Sequence, residues 1–105
     1  MAFVARWSVE VQFGRKPELF ASAEKWEKWS RERGWPAARI LVNSIGGSEA
    51  RVEFEYEVDS LATLEKLWGA LPHDETFKEW QREFAALVVP GSPRWEVWRI
   101  AKDRA

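Results

Sequence analysis

An α+β fold, in which helices cover one face of a four-stranded antiparallel sheet, is predicted by three features of this sequence. Segment 51–58 alternates apolar and charged residues, the two-residue period of a strand with one buried face. Segment 61–71 then places apolar residues three and four positions apart, which is the period of a helix. Glycines at 46–47 separate segment 51–58 from an earlier apolar segment and indicate a hairpin turn. The length of 105 residues suits one domain over 1–105.

The first strand is predicted over residues 3–13, where the odd positions are apolar and the even positions are mostly polar. Gly14 begins a turn, and Pro17 suits the first turn of a helix because its φ is already fixed and its missing N–H would be unpaired there. We expect this helix to reach about residue 33 and to end at Gly34.

The second strand is predicted over residues 38–45 and the third over 51–58. Asp59 and Ser60 supply side-chain oxygens that can cap a second helix, which Pro72 closes.

The third helix is predicted to open with a capping box at 76–79 and to keep helical register as far as Val88. A last strand follows over 94–100. The resulting order, βαββα(α)β, is the ferredoxin-like arrangement. It places the first and third strands at the centre of the sheet and the helices on one face.

The charge balance excludes two classes of partner. Sixteen basic and seventeen acidic residues give a net charge of −1, so we expect no nucleic-acid partner and no attraction to an anionic membrane. The alternating N-terminal segment is not a membrane span, and cytoplasmic location is the default expectation. The absence of cysteine excludes disulfides and thiolate chemistry.

Both edge strands are apolar on both faces, which predicts a homodimer. Leu41 and Ile45 share one face of the second strand, and Trp98 and Ile100 share one face of the last strand. Uncovered apolar edges invite association, so a second copy of the chain is the simplest cover.

Three segments, EFEYEVDSLATLEKLW, FKEWQREFAALVVPG and WEVWRI, resemble the dimeric α+β barrel superfamily and above all its NIPSNAP-like members. The resemblance covers nearly the whole chain and is one of pattern. It implies a homodimer of face-to-face sheets with helices outside, and in some families a small-molecule pocket between sheet and helices. It implies no single reaction, because the superfamily includes monooxygenases, isomerases and haem-degrading enzymes.

We expect no cofactor. The haem-degrading relatives carry a histidine on the third helix and an asparagine on the first strand, whereas this chain has Trp80 and Gln81 on that helix and no asparagine on that strand. Cofactor-free oxygenation or isomerisation stays open, because it needs mainly a pocket and polar orienting groups.

No metal site is predicted either. Glu53, Glu55 and Glu57 share a face and could hold a divalent cation, but ion pairing with arginines is the favoured interpretation. The same carboxylates also argue against RNA binding by this sheet, because they would face the phosphates of the RNA.

The sequence also resembles acylphosphatase at two positions. Arg15 is similar to the phosphate-loop arginine of that family, and Asn43 is similar to its partner asparagine. The glycine-rich loop of that family is absent. The alternative is therefore reduced to the binding of an anion at the start of the first helix.

The candidate ligand site lies near the 71–73 break, between the helices and the sheet. Aromatic side chains can wall a pocket there or simply fill the core. His73, the single histidine, is a candidate for proton exchange, with an exposed helix-start role as the simpler interpretation. The predicted ligand-binding residues are Trp7, Trp26, Trp68, His73 and Trp80. Binding of a small apolar or aromatic molecule, a cofactor-free monooxygenase or isomerase, and a catalytically silent structural dimer are the functions that the sequence leaves open.

Overall fold

The computed structural model describes residues 2–104. The elements, in chain order, are β1 (Phe3–Glu10), α1 (Lys16–Glu32), β2 (Arg39–Val42), β3 (Arg51–Val58), α2 (Leu61–Ala70), a 3₁₀ turn (Leu71–His73), α3 (Glu75–Ala85) and β4 (Arg94–Arg99). This is the order that the sequence predicts.

The four strands form one antiparallel sheet in the order β2-β3-β1-β4. β1 and β3 are therefore central, as predicted from their clean alternation. Trp7 of β1 lies opposite both Phe54 of β3 and Trp95 of β4, so three aromatic residues form a row across the sheet. The predicted α+β fold is confirmed.

The core lies between the sheet and the helices. Leu19 of α1, Leu64 of α2 and Phe84 of α3 are buried against the apolar face of the sheet. That face contributes the buried residues Ala5, Val9, Val52, Phe54, Tyr56 and Val58. The helices thus share one face of the sheet, and the apolar periodicity of each segment decides which side is buried.

Both later helices are capped by short polar side chains. Ser60 Oγ accepts a hydrogen bond from the Thr63 amide at the start of α2, as predicted. α3 begins earlier than the predicted capping box, because the Asp74 carboxylate accepts the amide hydrogen bond of Phe77 and takes the N-cap position. Pro72 follows the end of α2, as predicted.

Two strands end earlier than predicted. Glu10 pairs with Arg51, the first residue of β3, so β1 has no β3 residue left to pair beyond Glu10. β2 ends at Val42, opposite Val52, one pair before the end of β3. Val11 forms only an isolated bridge with Val88, so the expectation that residues 11–13 and 43–45 continue these strands is wrong. Phe13 and Ile45 are fully or almost fully exposed.

Within the described residues no helix is long and apolar enough to cross a membrane.

Truncating Leu19 to alanine should lower the free energy of unfolding by about 2–5 kcal/mol, because a fully buried side chain leaves a cavity. The matched substitution Leu61→Ala, at a half-exposed position, should cost less than about 1 kcal/mol. Urea denaturation of the two variants measures the difference. Equal losses would contradict the core described above.

Candidate functional site

A cavity of about 860 Å³ lies between the helices and the sheet. β1, β3 and the start of β4 provide one wall, and α1, α2, the 3₁₀ turn and α3 provide the other. The lining residues are Trp7, Tyr56, Pro93, Arg94 and Trp95 on the sheet side, and Trp26, Trp68, Leu71, Pro72, Phe77, Lys78, Trp80, Gln81, Phe84, Ala85 and Val88 on the helical side.

The cavity lies where the helical layer is interrupted. α2 ends at Ala70, the chain makes one 3₁₀ turn through Pro72, and α3 starts at Glu75. Proline has no amide proton and its ring blocks a continuing α-helix, so one long helix is replaced by two short ones. Leu71 and Pro72 line the cavity beside this break.

Five tryptophan side chains line the cavity and contact one another. The Trp26 and Trp80 ring centroids are 5.0 Å apart, and those of Trp68 and Trp95 are 5.3 Å apart in an edge-to-face arrangement. Trp7 and Trp95 stack with centroids 6.0 Å apart. Each ring supports its neighbour through these contacts, and the lining is mostly apolar.

Two indole groups of the cluster are hydrogen-bonded and hold elements in place. Trp26 Nε1 donates to Tyr56 Oη at 2.6 Å, which joins α1 to β3. Trp80 Nε1 donates to the Ser22 carbonyl at 2.9 Å, which joins α3 to α1.

Two hydrogen-bond donors of the lining have no partner among residues 2–104. Tyr56 Oη accepts from Trp26 but donates no hydrogen bond of its own. Trp68 Nε1 is buried and unpaired as well. Burial raises the pKa of Tyr56 above its ordinary value, so the hydroxyl keeps its proton at neutral pH. Both groups are buried behind the surface of the cavity.

The structure brings together four of the five residues predicted for the site. Trp7, Trp26, Trp68 and Trp80 all line the cavity. Their assignment to ligand binding stays a prediction.

His73 is not among the lining residues, and its side chain is exposed. The physical reason is the 3₁₀ turn, in which successive side chains lie about 120° apart. Leu71 and Pro72 occupy the cavity side of that turn, and His73 falls elsewhere. His73 therefore lies outside the lining of this cavity, and its assignment to a ligand site stays a prediction.

Several lining residues were missed from the sequence. Tyr56 is one of the apolar set of segment 51–58, and its hydroxyl is the available signal, because it is the one polar side-chain atom on that face of the strand. Lys78, Gln81 and Ala85 are separated by three and four positions, so they form one stripe on α3. That spacing was the available signal for this face of the helix.

The sheet face opposite the helices, here called the distal face, carries paired charges. It comprises Val4, Arg6, Ser8 and Glu10 of β1, Arg39 and Leu41 of β2, Arg51, Glu53, Glu55 and Glu57 of β3, and Arg94, Glu96 and Trp98 of β4. Arg6 Nε lies 3.0 Å from Glu55 Oε2, and Arg39 also contacts Glu55. The hydrogen bond from Arg39, with that from Arg6, lowers the pKa of the Glu55 carboxyl despite its partial burial.

These contacts agree with the favoured interpretation of ion pairing. Arg51 Nε lies 3.5 Å from Glu53 Oε2 in the same way. In the part of the chain that the structure describes, no three histidine or carboxylate side chains are grouped as a metal site would require.

Arg15, the residue that resembles a phosphate-loop arginine, is ion-paired. Its Nε lies 2.8 Å from Glu18 Oε1 at the start of α1. The guanidinium is therefore engaged by a neighbouring carboxylate, which also places negative charge beside any anion at this helix end.

The fold is shared with solved structures of low sequence identity. A NIPSNAP family protein of Agrobacterium tumefaciens superposes with a TM-score of 0.76 at 15% identity, over 97% of this chain and 89% of that one. A NIPSNAP family protein of unknown function from the same organism gives a TM-score of 0.79 at 12% identity, over 96% and 89% of the two chains. A Bordetella bronchiseptica protein, provisionally assigned as an antibiotic biosynthesis monooxygenase, gives 0.73 at 16% identity, over 96% and 98%.

No protein-family model matches the sequence, and no curated protein matches it. The NIPSNAP-like fold predicted from the sequence pattern is confirmed by the structural neighbours. At these identities the likeness establishes the fold alone.

The raised pKa of Tyr56 gives a test of the site. The chain has one tyrosine, so tyrosinate absorbance reports Tyr56 directly. Folded protein should show little tyrosinate at about pH 10.5, whereas denatured protein should be half ionised near the ordinary value of about 10.

The same shift has a consequence for stability. Above about pH 10 the unfolded state binds fewer protons than the folded state, so the free energy of unfolding should fall as pH rises. A tyrosinate midpoint near 10 in the folded protein would contradict the buried hydroxyl.

Proposed function

We propose that this protein binds a small planar apolar molecule, with an aromatic body, in the cavity between the helices and the sheet. The observation that supports the proposal is the convergence of Trp7, Trp26, Trp68 and Trp80 on one space of about 860 Å³. Small-molecule sites are typically concave spaces of about 300–1,000 Å³ with apolar and aromatic walls and few polar groups. The space matches that description in both size and lining.

A planar ligand suits these walls better than a branched one. Flat rings present large apolar surfaces, and aromatic pairs contribute about 0.5–1.5 kcal/mol beyond the area they bury. Trp7 and Trp80 lie on opposite sides of the layer, one on β1 and one on α3, with ring centroids 6.3 Å apart at an interplanar angle of 49°. The two rings therefore contact each other and form a continuous aromatic wall, against which a flat molecule can lie.

The proposal is limited to ligand binding and does not include catalysis, because the cavity lining offers no general base. Catalysis of proton abstraction needs a general base within hydrogen-bond reach of the substrate. Among the described lining residues there is neither a histidine nor a carboxylate. Tyr56 keeps its proton and so serves as a donor near neutral pH.

The proposal extends to a homodimer formed through the distal face. Val4 lies opposite Trp98, and the Trp98 side chain is 56% exposed at this edge of the sheet. At the centre of the face, Arg6 and Arg39 already neutralise Glu55. A second copy would cover the exposed tryptophan without burying an unpaired carboxylate at that position.

Filling the cavity mouth tests the ligand site. Ala85 lines the cavity and is exposed, so Ala85→Trp places an indole in the opening without removing core contacts. We expect the affinity for uncharged anilinonaphthalene, followed by its fluorescence, to fall at least about tenfold, which corresponds to about 1.4 kcal/mol. The matched control is Ala62→Trp on α2, at an exposed alanine outside the cavity. Wild-type protein that does not bind the probe, or equal binding by the two variants, would reject the site.

Replacing Trp98 by lysine tests the dimer. Light scattering of the wild type should give about twice the chain mass, and Trp98→Lys should give a monomer because a lysine ammonium would be desolvated in the interface. Phe13→Lys is the matched control, since Phe13 is fully exposed at the β1–α1 turn, outside the distal face. A monomeric wild type at high concentration would rule out the interface.

A further inference from the structure

The charges of the distal face are arranged in rows that run across the strands. From the β2 edge to the β4 edge, one row comprises Arg39, Glu55, Arg6 and Glu96. The sign of the charge alternates along that row. Near the end of β1, Arg51 of β3 lies opposite Glu10 of β1 and forms a second row. In both rows each charge is mirrored, across the line between β3 and β1, by a charge of opposite sign.

Not all of these charges are satisfied within one copy of the chain. Glu10, Glu96 and Arg94 make no ion pair within residues 2–104. Glu96 is nevertheless half-buried. A purely apolar partner on this face would bury these charges unpaired, which is unfavourable. A surface that covers the distal face must therefore bring charges of opposite sign to these positions.

A two-fold axis that runs along the strands, between β3 and β1, supplies such charges. It stacks two sheets face to face with their strands aligned, at a distance of about 10 Å, which is a usual mode of sheet packing. Rotation about this axis places β1 over β3 of the partner subunit and β4 over β2 of the partner subunit. Every charge of the two rows then faces a charge of opposite sign.

We infer that a second copy docks on the distal face about this axis, so that Glu10 pairs with Arg51 of the partner subunit and Glu96 pairs with Arg39 of the partner subunit. The inference rests on the proposed homodimer and specifies its geometry. Each pair occurs twice, because a two-fold interface uses the same surface on both copies. Between them, Arg6 faces Glu55 of the partner subunit.

The small cavity on this face fits the same arrangement. It measures about 290 Å³ and is lined by Ser8, Val9, Glu10, Arg51, Gly91, Ser92 and Arg94. Ser8 forms a depression, because its short side chain lies between Glu53 of β3 and Arg94 of β4. The rotation places Glu53 of the partner subunit over Ser8. A carboxylate therefore enters the cavity beside Arg94.

A two-fold axis across the strands is disfavoured by the same charges. Passing through the row of Ser8, it would place Glu53 against Glu53 of the partner subunit, and Arg94 against Arg94 of the partner subunit. Passing through the row of Arg6, it would oppose Arg6 to Arg6 of the partner subunit. Like charges that face each other destabilise an interface and suppress that mode of docking.

Mixing two charge-reversed variants tests the pairing between copies. Glu10→Arg and Arg51→Glu each place like charges against each other twice in a homodimer, so each variant alone should dimerise at least about tenfold more weakly than the wild type. In a heterodimer of the two variants, both pairs regain opposite signs. We expect its dissociation constant to lie within about threefold of the wild-type value. Sedimentation at low ionic strength measures it, because salt screens such pairs.

The control has the same change of charge on the same face of β3. Glu57 is exposed there, and the axis places it opposite Val4 of the partner subunit. Glu57→Arg should dimerise within about threefold of the wild type, and its mixture with Arg51→Glu should stay weaker than the wild type. Arg39→Glu mixed with Glu96→Arg is a second complementing pair on the edge strands. Circular dichroism identifies the folded variants, and two pairs keep the test independent of any one substitution.

The outcomes separate this inference from the proposed homodimer. Recovery of the dimer in a complementing mixture of folded variants, without recovery in the Glu57→Arg mixture, supports the pairing. Single variants that dimerise as tightly as the wild type, or complementing mixtures that stay monomeric where the wild type dimerises, overturn it and leave the homodimer in place. A monomeric wild type overturns the homodimer and the pairing together.

Discussion

The hydrogen bond from Trp26 Nε1 to Tyr56 Oη is the interaction on which the cavity depends. In the described part of the chain it is a buried side-chain bond between the helical layer and the sheet, and it sets how closely α1 approaches β3. Trp80 then ties α3 to α1 through the Ser22 carbonyl. The layer is thus held on the α1 side and is interrupted between α2 and α3, so the unfilled space lies on the side of β4.

The start of α3 is fixed by a second set of polar contacts. Arg33 Nε lies 2.6 Å from Asp74 Oδ2, and its guanidinium carbon lies 4.4 Å from the centroid of the Trp29 ring. Desolvation alone would raise the pKa of the Asp74 carboxyl, but the hydrogen bonds from Arg33 and from the Phe77 amide outweigh it and lower that pKa. The Asp74 carboxylate therefore caps α3 and anchors it to the end of α1. These contacts fix the position of α3 directly after the break at Pro72.

Periodicity predicted the faces of the elements well and their ends less well. The alternation of segment 51–58 matches β3 residue for residue, because each position depends only on which side of the sheet is buried. The end of β1 depends on where β3 begins, which Phe13 does not encode locally. His73 shows the same limit for the site, since a single 3₁₀ turn decided whether its side chain or that of Pro72 lines the cavity.

β3 contributes apolar side chains to one face of the sheet and charged side chains to the other, because apolar and charged residues alternate along it. Phe54 and Tyr56 face the helices and the cavity, whereas Glu53 and Glu55 face the distal side and meet arginines there. The carboxylates of this strand are therefore kept away from the aromatic space, whose described lining contains no acidic side chain. The proposed ligand site and the proposed dimer surface would lie on opposite faces of the same strand, so substitutions that alter one need not disturb the other.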